Sequence, residues 1–364
     1  MWIALSIIVT ICLGVIIFIH TPRFGSTPKG ERKEKIRQSP NYRDGEFRNL
    51  NPTPQFTSDK SSLSVFKDML FKKKDERLRP KENIPTVKTD LLNLDRTKDL
   101  LVWMGHSSYF MQINGKRILV DPVLSKAASP VWFVNKAFEG TLIYEPDDIP
   151  AIDYLIITHD HWDHLDYPTV KALRTRVANV ICPLGVGEHF ERWKYNVNLI
   201  TEMDWEDKVT PEPGMNIWCL PSRHFSGRSL KPKQSLWASF MVRTGGKNIF
   251  IGGDGGYDTH FKRIGAQFGT VDLAMLENGQ YNQNWKYIHM LPEEVLQAGR
   301  DLNARMVFPV HNSKYALADH PWDEPLRKVY ELHTGEFILW TPMIGQEIDL
   351  NNPGLFAPWW ENVR

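Results

Sequence analysis

From residue 99 onward the chain is a succession of short apolar runs, each closed by Gly, Pro, Asp or Asn. Runs of this kind predict β-strands over 100–104, 108–113, 116–120, 153–158, 178–182, 197–201, 215–221, 236–243, 247–252, 271–276 and 305–310. Apolar positions at helical spacing predict helices over 167–175, 185–193, 292–303 and 323–333. The third of these opens on Pro292, Glu293 and Glu294. Proline has no N–H to leave unpaired there, and the carboxylates face the positive end of the helix dipole. No repeat of the solenoid kind is present. Many strands with a few helices between them predict an α+β protein of layered sheets flanked by helices.

The amino terminus follows a different pattern. Residues 2–19, WIALSIIVTICLGVIIFI, are 18 residues without a charge. As a helix they would be about 27 Å long, against a hydrocarbon core of roughly 30 Å. A cleaved signal peptide would carry Lys or Arg before the apolar run and a small-residue site after it. Neither is present, and Ile11 before Cys12 does not suit a lipobox. Residues 1–20 are therefore expected to be an uncleaved, single-pass transmembrane anchor. Arg23, Lys29, Arg32, Lys33, Lys35 and Arg37 follow it and nothing basic precedes it. The positive-inside rule then keeps the body cytoplasmic, with a periplasmic body as the alternative.

Residues 21–60, rich in Pro, Gly, Asn and Ser, predict an extended linker laid over the surface. Residues 61–74, SSLSVFKDMLFKKK, space Leu63, Phe66, Met69 and Leu70 helically. That helix either docks on its own domain or lies on lipid with its lysines at the headgroups. The expected domains are an anchor (1–20), a linker with an amphipathic segment (21–98) and a catalytic body (99–364).

Composition narrows the function. Lys and Arg total 44 against 43 Asp and Glu, so no global field points to nucleic acid. The charge is unevenly spread: residues 21–90 hold 17 basic and 10 acidic side chains, next to the apolar segment. Cys12, Cys182 and Cys219 cannot make a disulfide framework, and the last two read as buried strand cysteines.

Residues 159–164 read His-Asp-His-Trp-Asp-His and follow the apolar run DYLIIT. A loop at a strand end presents side chains while the strand fixes their position. Imidazole and carboxylate together suit Zn²⁺ or another first-row divalent ion. His159 and His161 can meet one ion, and Asp163 and His164 a second. Further donors come from other strand ends: His224 after WCLPSR, Asp254 after IFIGG and His311 after MVFPV. A carboxylate such as Asp254 can bridge two cations. Seven donors with positions left open describe a catalytic rather than a structural site. Asp121, in ILVDP, is placed to orient a ligand histidine or to make a turn before Pro122.

These residues resemble the metallo-β-lactamase superfamily, and within it the N-acylphosphatidylethanolamine-hydrolysing phospholipase D family. The resemblance runs from about Asp99 to Trp340. It rests on VWMGHSSYF, LVDPVLSKAASP, LIITHDHWDHLDY, PSRHFSGRSL with LWASF, GGDGGY, DLAMLENGQYNQNW, HMLPEE and HNSKYALADH. It implies an αββα sandwich with two zinc ions per chain at one edge. His159, His161 and His224 would hold one, Asp163, His164 and His311 the other, and Asp254 would bridge. It implies a phospholipid substrate cleaved to an N-acylethanolamine and phosphatidic acid, with no nucleic-acid partner. His289, in YIHMLPEE, would donate a proton to the leaving oxygen; otherwise it is a loop histidine capping a helix.

The resemblance is incomplete. The first 98 residues carry little of the family pattern, and LENGQYNQNW departs from it in a stretch expected to touch substrate. The alternatives are a lactonase or sugar-lactone hydrolase on the same fold, or a non-catalytic zinc-stabilised membrane scaffold. His106 reads as structural. Two aromatic stretches, PVWFVNKAF (130–138) and GLFAPWW (354–360), suit a membrane interface or an acyl groove, or else packing on the domain itself. The sequence leaves the oligomeric state open.

Overall fold

The computed structural model describes residues 2–57, 74–352 and 354–364. The expected amphipathic helix at 61–74 lies, apart from its last residue, outside them.

After a small hairpin, β1 (Tyr42–Arg43) and β2 (Glu46–Phe47), the described strands fall into two seven-stranded sheets. The first holds β3 (Leu100–Trp103), β4 (Tyr109–Ile113), β5 (Lys116–Val120), β6 (Ile152–Ile156), β7 (Val177–Pro183) and β8 (Ile200–Met203). The second holds β9 (Lys208–Glu212), β10 (Met215–Leu220), β11 (Ser239–Thr244), β12 (Lys247–Ile251), β13 (Leu273–Glu277), β14 (Met306–Val310) and β15 (Ile338–Leu339). β16 (Glu347–Asp349) then returns to the edge of the first sheet beside β3. β5 to β8 run parallel, as do β12 to β15.

Alternation explains why the strands read as unbroken apolar runs. Successive side chains face opposite sides of a sheet, and here both sides are covered. Phe240 and Val242 of β11, Ile249 and Ile251 of β12, and Met306, Phe308 and Val310 of β14 point into the core between the sheets. Met241, Phe250 and Val307 point outward, onto helices His260–Phe268, Pro292–Asp301 and Glu324–Leu332. On the first sheet, Phe110, Leu119 and Leu155 face helices Tyr167–Leu173 and Gly187–Arg192. The layers are therefore αββα, as expected.

Several elements differ from the sequence reading. The strand expected over 197–201 begins at Ile200, because Asn196 caps a short 3₁₀ turn over Val197–Leu199. β9 and β16 were not anticipated: edge strands carry polar residues and tolerate a proline such as Pro211, so their apolar signal is weak.

Residues 21–57 are not simply extended over the surface. They include the helix Gly30–Gln38 and the β1–β2 hairpin. Ile36 and Phe47 are fully buried in the inter-sheet core. Arg32 reaches Glu188 and Glu202 at 2.6 Å and Glu191 at 3.0 Å. Burial opposes charge on Arg32, yet the three carboxylates outweigh it and raise its pKa. A helix fastened by ion pairs and one apolar side chain leaves little periodicity to read.

The helix Trp2–Ile19 has mean hydropathy 2.9 and no residue buried in the protein, and it is long and apolar enough to cross a membrane. Of the two aromatic stretches, Trp359 and Trp360 pack into the core, as does Phe138. Trp132 and Phe133 stay exposed.

Candidate metal centre

Four strands deliver their carboxyl ends to one edge of the sandwich. β6 leads into the loop 159–164, β10 into His224, β12 into Asp254 and β14 into His311. Two cross-sheet ties fix this edge. Ala238 donates its N–H to Thr158 O, and on the other side the His311 N–H donates to His106 O while the His106 N–H donates to Asn312 O, at 3.1 Å each. His106, Asp121 and His311 adopt φ of 54°, 40° and 68°, the left-handed region uncommon for non-glycine residues. Gly256 is required where it stands, since a Cβ there would run into the Tyr287 carbonyl.

The sequence-derived residues all arrive together. The ring nitrogens of His159, His161 and His224 form one donor group, and those of His164 and His311 form a second with an Asp163 oxygen, all donors in each lying within 4.8 Å of one another. Asp254 faces both groups. Its Oδ2 is 3.1 Å from His164 Nε2 and 3.8 Å from the Nε2 atoms of His159 and His224; its Oδ1 is 3.1 Å from His311 Nδ1. The clusters are of a composition and spacing able to bind metal.

Neighbouring groups set the orientation of the imidazoles. Asp121 Oδ2 is 2.8 Å from His164 Nδ1, and Asp121 also accepts from the Thr158 N–H and hydroxyl. Thr158 Oγ1 is 3.1 Å from His159 Nδ1, and the Ile288 carbonyl is 3.0 Å from His224 Nδ1. Each of the three rings is thereby left with Nε2 toward the centre, the arrangement carboxylates and carbonyls impose on metal-ligating histidines.

Electrostatics favours the ligand form of most donors. Burial pushes His159, His224 and His311 well below the usual imidazole value, which keeps them neutral. Burial would raise Asp163 and Asp254, but His164 in particular outweighs it and holds both well below the usual carboxylate range. His164 is the exception: burial opposes its charge, yet Asp254, Asp163 and Asp121 raise it well above the ordinary value. Neutral imidazoles beside ionised carboxylates are what a divalent cation requires. His164 Nε2 and Asp254 Oδ1 are also buried without an aligned hydrogen-bond partner. Such atoms are costly to bury alone, so the donor set fits a bound cation.

A cavity of about 250 Å³ opens over these donors. Phe56, Phe225, Trp285, Ile288 and Leu317 give it an apolar wall, and Gln280 and His289 add polar groups. His289 Nδ1 is 3.2 Å from Glu277 Oε2, and the same carboxylate accepts the Met290 N–H. Burial raises Glu277 to about 7. Burial works against charge on His289, but Glu277 prevails and raises it.

Three contributors escaped the sequence reading. Glu277 ends β13, so the strand-end rule that found the other donors would also have found it. His106, read as structural, places Nε2 2.9 Å from Asp163 Oδ2. Asn49 comes from the supposed linker. Its Nδ2 donates to His224 O at 2.8 Å, and its Oδ1 accepts from His224 N at 3.1 Å.

Comparison with known proteins agrees with this geometry. Residues 116–312 match the beta-lactamase superfamily domain. The chain is 37% identical over 328 residues to the uncharacterized protein Rv0906 of Mycobacterium tuberculosis, spanning 89% of this chain and 88% of that one. It is 29% identical over 252 residues to N-acyl-phosphatidylethanolamine-hydrolyzing phospholipase D 1 of Caenorhabditis elegans, covering 63% and 68% of the two chains. Igni18, a metallo hydrolase of the archaeon Ignicoccus hospitalis, superposes with a TM-score of 0.51 at 20% identity, over 69% of this chain and 97% of its own. That likeness shows a shared fold.

Proposed function

The chain belongs to the metallo-β-lactamase superfamily and has the fold of its hydrolases, and on that premise we propose that it cleaves a phosphodiester lipid of the N-acylphosphatidylethanolamine type on the phospholipase D side. One observation carries the reading: an apolar wall and His289, with Glu277 buried behind it, face the same cavity as the donor cluster. The similarity to the phospholipase D 1 of Caenorhabditis elegans supports the choice of lipid.

In this reading His159, His161 and His224 would hold one zinc ion, Asp163, His164 and His311 would hold a second, and Asp254 would serve both. Bound ions would supply charge neutralisation and water activation at the phosphoryl group. The protein's own residues do the rest. Phe56, Phe225, Trp285, Ile288 and Leu317 take the acyl portion and exclude bulk water. A water oxygen, giving up one proton to solvent, forms a bond to phosphorus as the phosphorus–oxygen bond to the ethanolamine side breaks. His289, whose pKa Glu277 raises, gives its proton to the departing oxygen and is reprotonated from solvent after turnover. The products are phosphatidic acid and an N-acylethanolamine. The helix Trp2–Ile19 anchors the enzyme in the bilayer that contains the substrate.

The test is a substrate panel with the purified full chain in detergent. N-acylphosphatidylethanolamine should be hydrolysed faster than phosphatidylcholine. Cleavage of lactones with no phosphodiester turnover would overturn the reading in favour of a lactonase.

A further inference from the structure

The end of the apolar helix is bolted to the body. Arg192 donates to His20 O at 2.6 Å, Trp193 Nε1 to Pro22 O at 2.6 Å and Arg228 to Arg23 O at 2.9 Å. Arg23 in turn donates to Pro130 O at 3.0 Å, which ties the loop 130–134 to the helix exit. Phe24 bridges the two parts, its ring 5.2 Å from Phe18 in the helix and 5.1 Å from Trp162 in the loop 159–164. The position of the helix relative to the body is thus fixed by polar bonds and aromatic packing, not by a slack tether.

Around that exit lie several of the body's exposed apolar side chains. Trp132 and Phe133 are 71% and 59% exposed and meet edge to face, and Leu230 is 83% exposed. Leu230 lines a cavity of about 300 Å³ together with Ile19, the last residue of the helix. Trp132 lines a neighbouring one together with Arg23 and Trp162. The apolar residues therefore flank the exit on two sides. Exposed cations are interspersed with them: Arg23, Arg192 and Lys231.

We propose that Trp132, Phe133 and Leu230 insert into the leaflet through which Trp2–Ile19 leaves the bilayer, with Arg23, Arg192 and Lys231 at its anionic headgroups. The inference rests on the reading of that helix as a membrane span. If the helix spans, the water boundary lies at Ile19 and His20, and side chains that share a cavity with Ile19 lie at the same depth. Aromatic rings favour that boundary, and each cation near an anionic leaflet adds about 1 kcal/mol. The surface gives the body one fixed orientation, with the loop 159–164 directly behind the docked face through the Phe24–Trp162 contact.

The test uses the full chain in nanodiscs of phosphatidylcholine and phosphatidylglycerol, with Cys12→Ser to remove the exposed thiol. Single spin labels are placed through Val9→Cys, Phe133→Cys, Leu230→Cys and, on the far outer layer, Leu332→Cys. Labels at 133 and 230 should be broadened by oxygen and lose broadening by a water-soluble nickel chelate, whereas the label at 332 shows the reverse. Nickel broadening at 133 and 230 equal to that at 332, with lipid exposure retained at 9, would overturn the docking surface and leave the anchor standing. Nickel broadening at 9 would overturn the anchor, and the docking surface with it. Loss of access to both reagents at 133 and 230 would mean that protein covers them, which also contradicts the proposal.

Discussion

Glu277 Oε2 stands 3.2 Å from Nδ1 of His289, and His289 in turn lies within 4.8 Å of donor atoms of His224, Asp254 and His311. The carboxylate ends β13 and is fully buried; the imidazole lines the cavity. A buried acid that raises the pKa of a cavity-facing histidine is an arrangement suited to proton donation.

His289→Ala should therefore retain bound metal and lower the rate on the natural lipid by about 10²–10⁴. An aryl phosphodiester, whose leaving group needs no proton, should show a much smaller defect. Glu277→Gln should follow the same substrate pattern with a smaller loss. Parallel rate measurements on both substrates, with metal analysis of each variant, check this.

Metal content tests the donor cluster. Zinc-loaded protein should contain two ions per chain by elemental analysis, because His159, His161 and His224 cluster apart from Asp163 and His311, and Asp254 reaches His224 at 3.8 Å and His311 at 3.1 Å. Asp254→Ala should lose more metal than His161→Ala or His311→Ala, since its two oxygens face both groups.

Asn49 provides a test of the amino-terminal segment. Removing its amide leaves the N–H and carbonyl of His224 without their partner, at a cost of roughly 1–3 kcal/mol. Asn49→Ala should lower the thermal midpoint and release metal faster to a chelator than the parent does.

Much of this organisation was legible in the sequence because its chemistry sits at the ends of apolar runs. The loop 159–164, His224, Asp254 and His311 could be found without knowing which strands are neighbours. The alternation in β11, β12 and β14 was hidden, since both faces of each strand are buried. Asn49 was illegible for a different reason: its partner is 175 residues away, and a side chain that grips a distant backbone leaves no periodic trace. Helix Gly30–Gln38 was missed because ion pairs from Arg32, rather than an apolar stripe, hold it in place.

His260 sets a pH dependence of stability remote from the donor cluster. Burial lowers its pKa from 6.5 to about 4. Between those values the unfolded chain binds a proton that the folded chain does not, so stability is lost as pH falls from 6.5 toward 4. The loss is up to roughly 3 kcal/mol. Denaturant midpoints at pH 7 and pH 4.5 should differ less in His260→Gln than in the parent.

The central claim is attack of water on phosphorus with departure of the N-acylethanolamine. Hydrolysis of N-acylphosphatidylethanolamine in ¹⁸O-labelled water, followed by mass spectrometry of both products, tests it most directly. The account predicts one labelled oxygen in phosphatidic acid and none in the N-acylethanolamine. Label in the N-acylethanolamine hydroxyl, or products of acyl-ester cleavage with the phosphodiester intact, would contradict it.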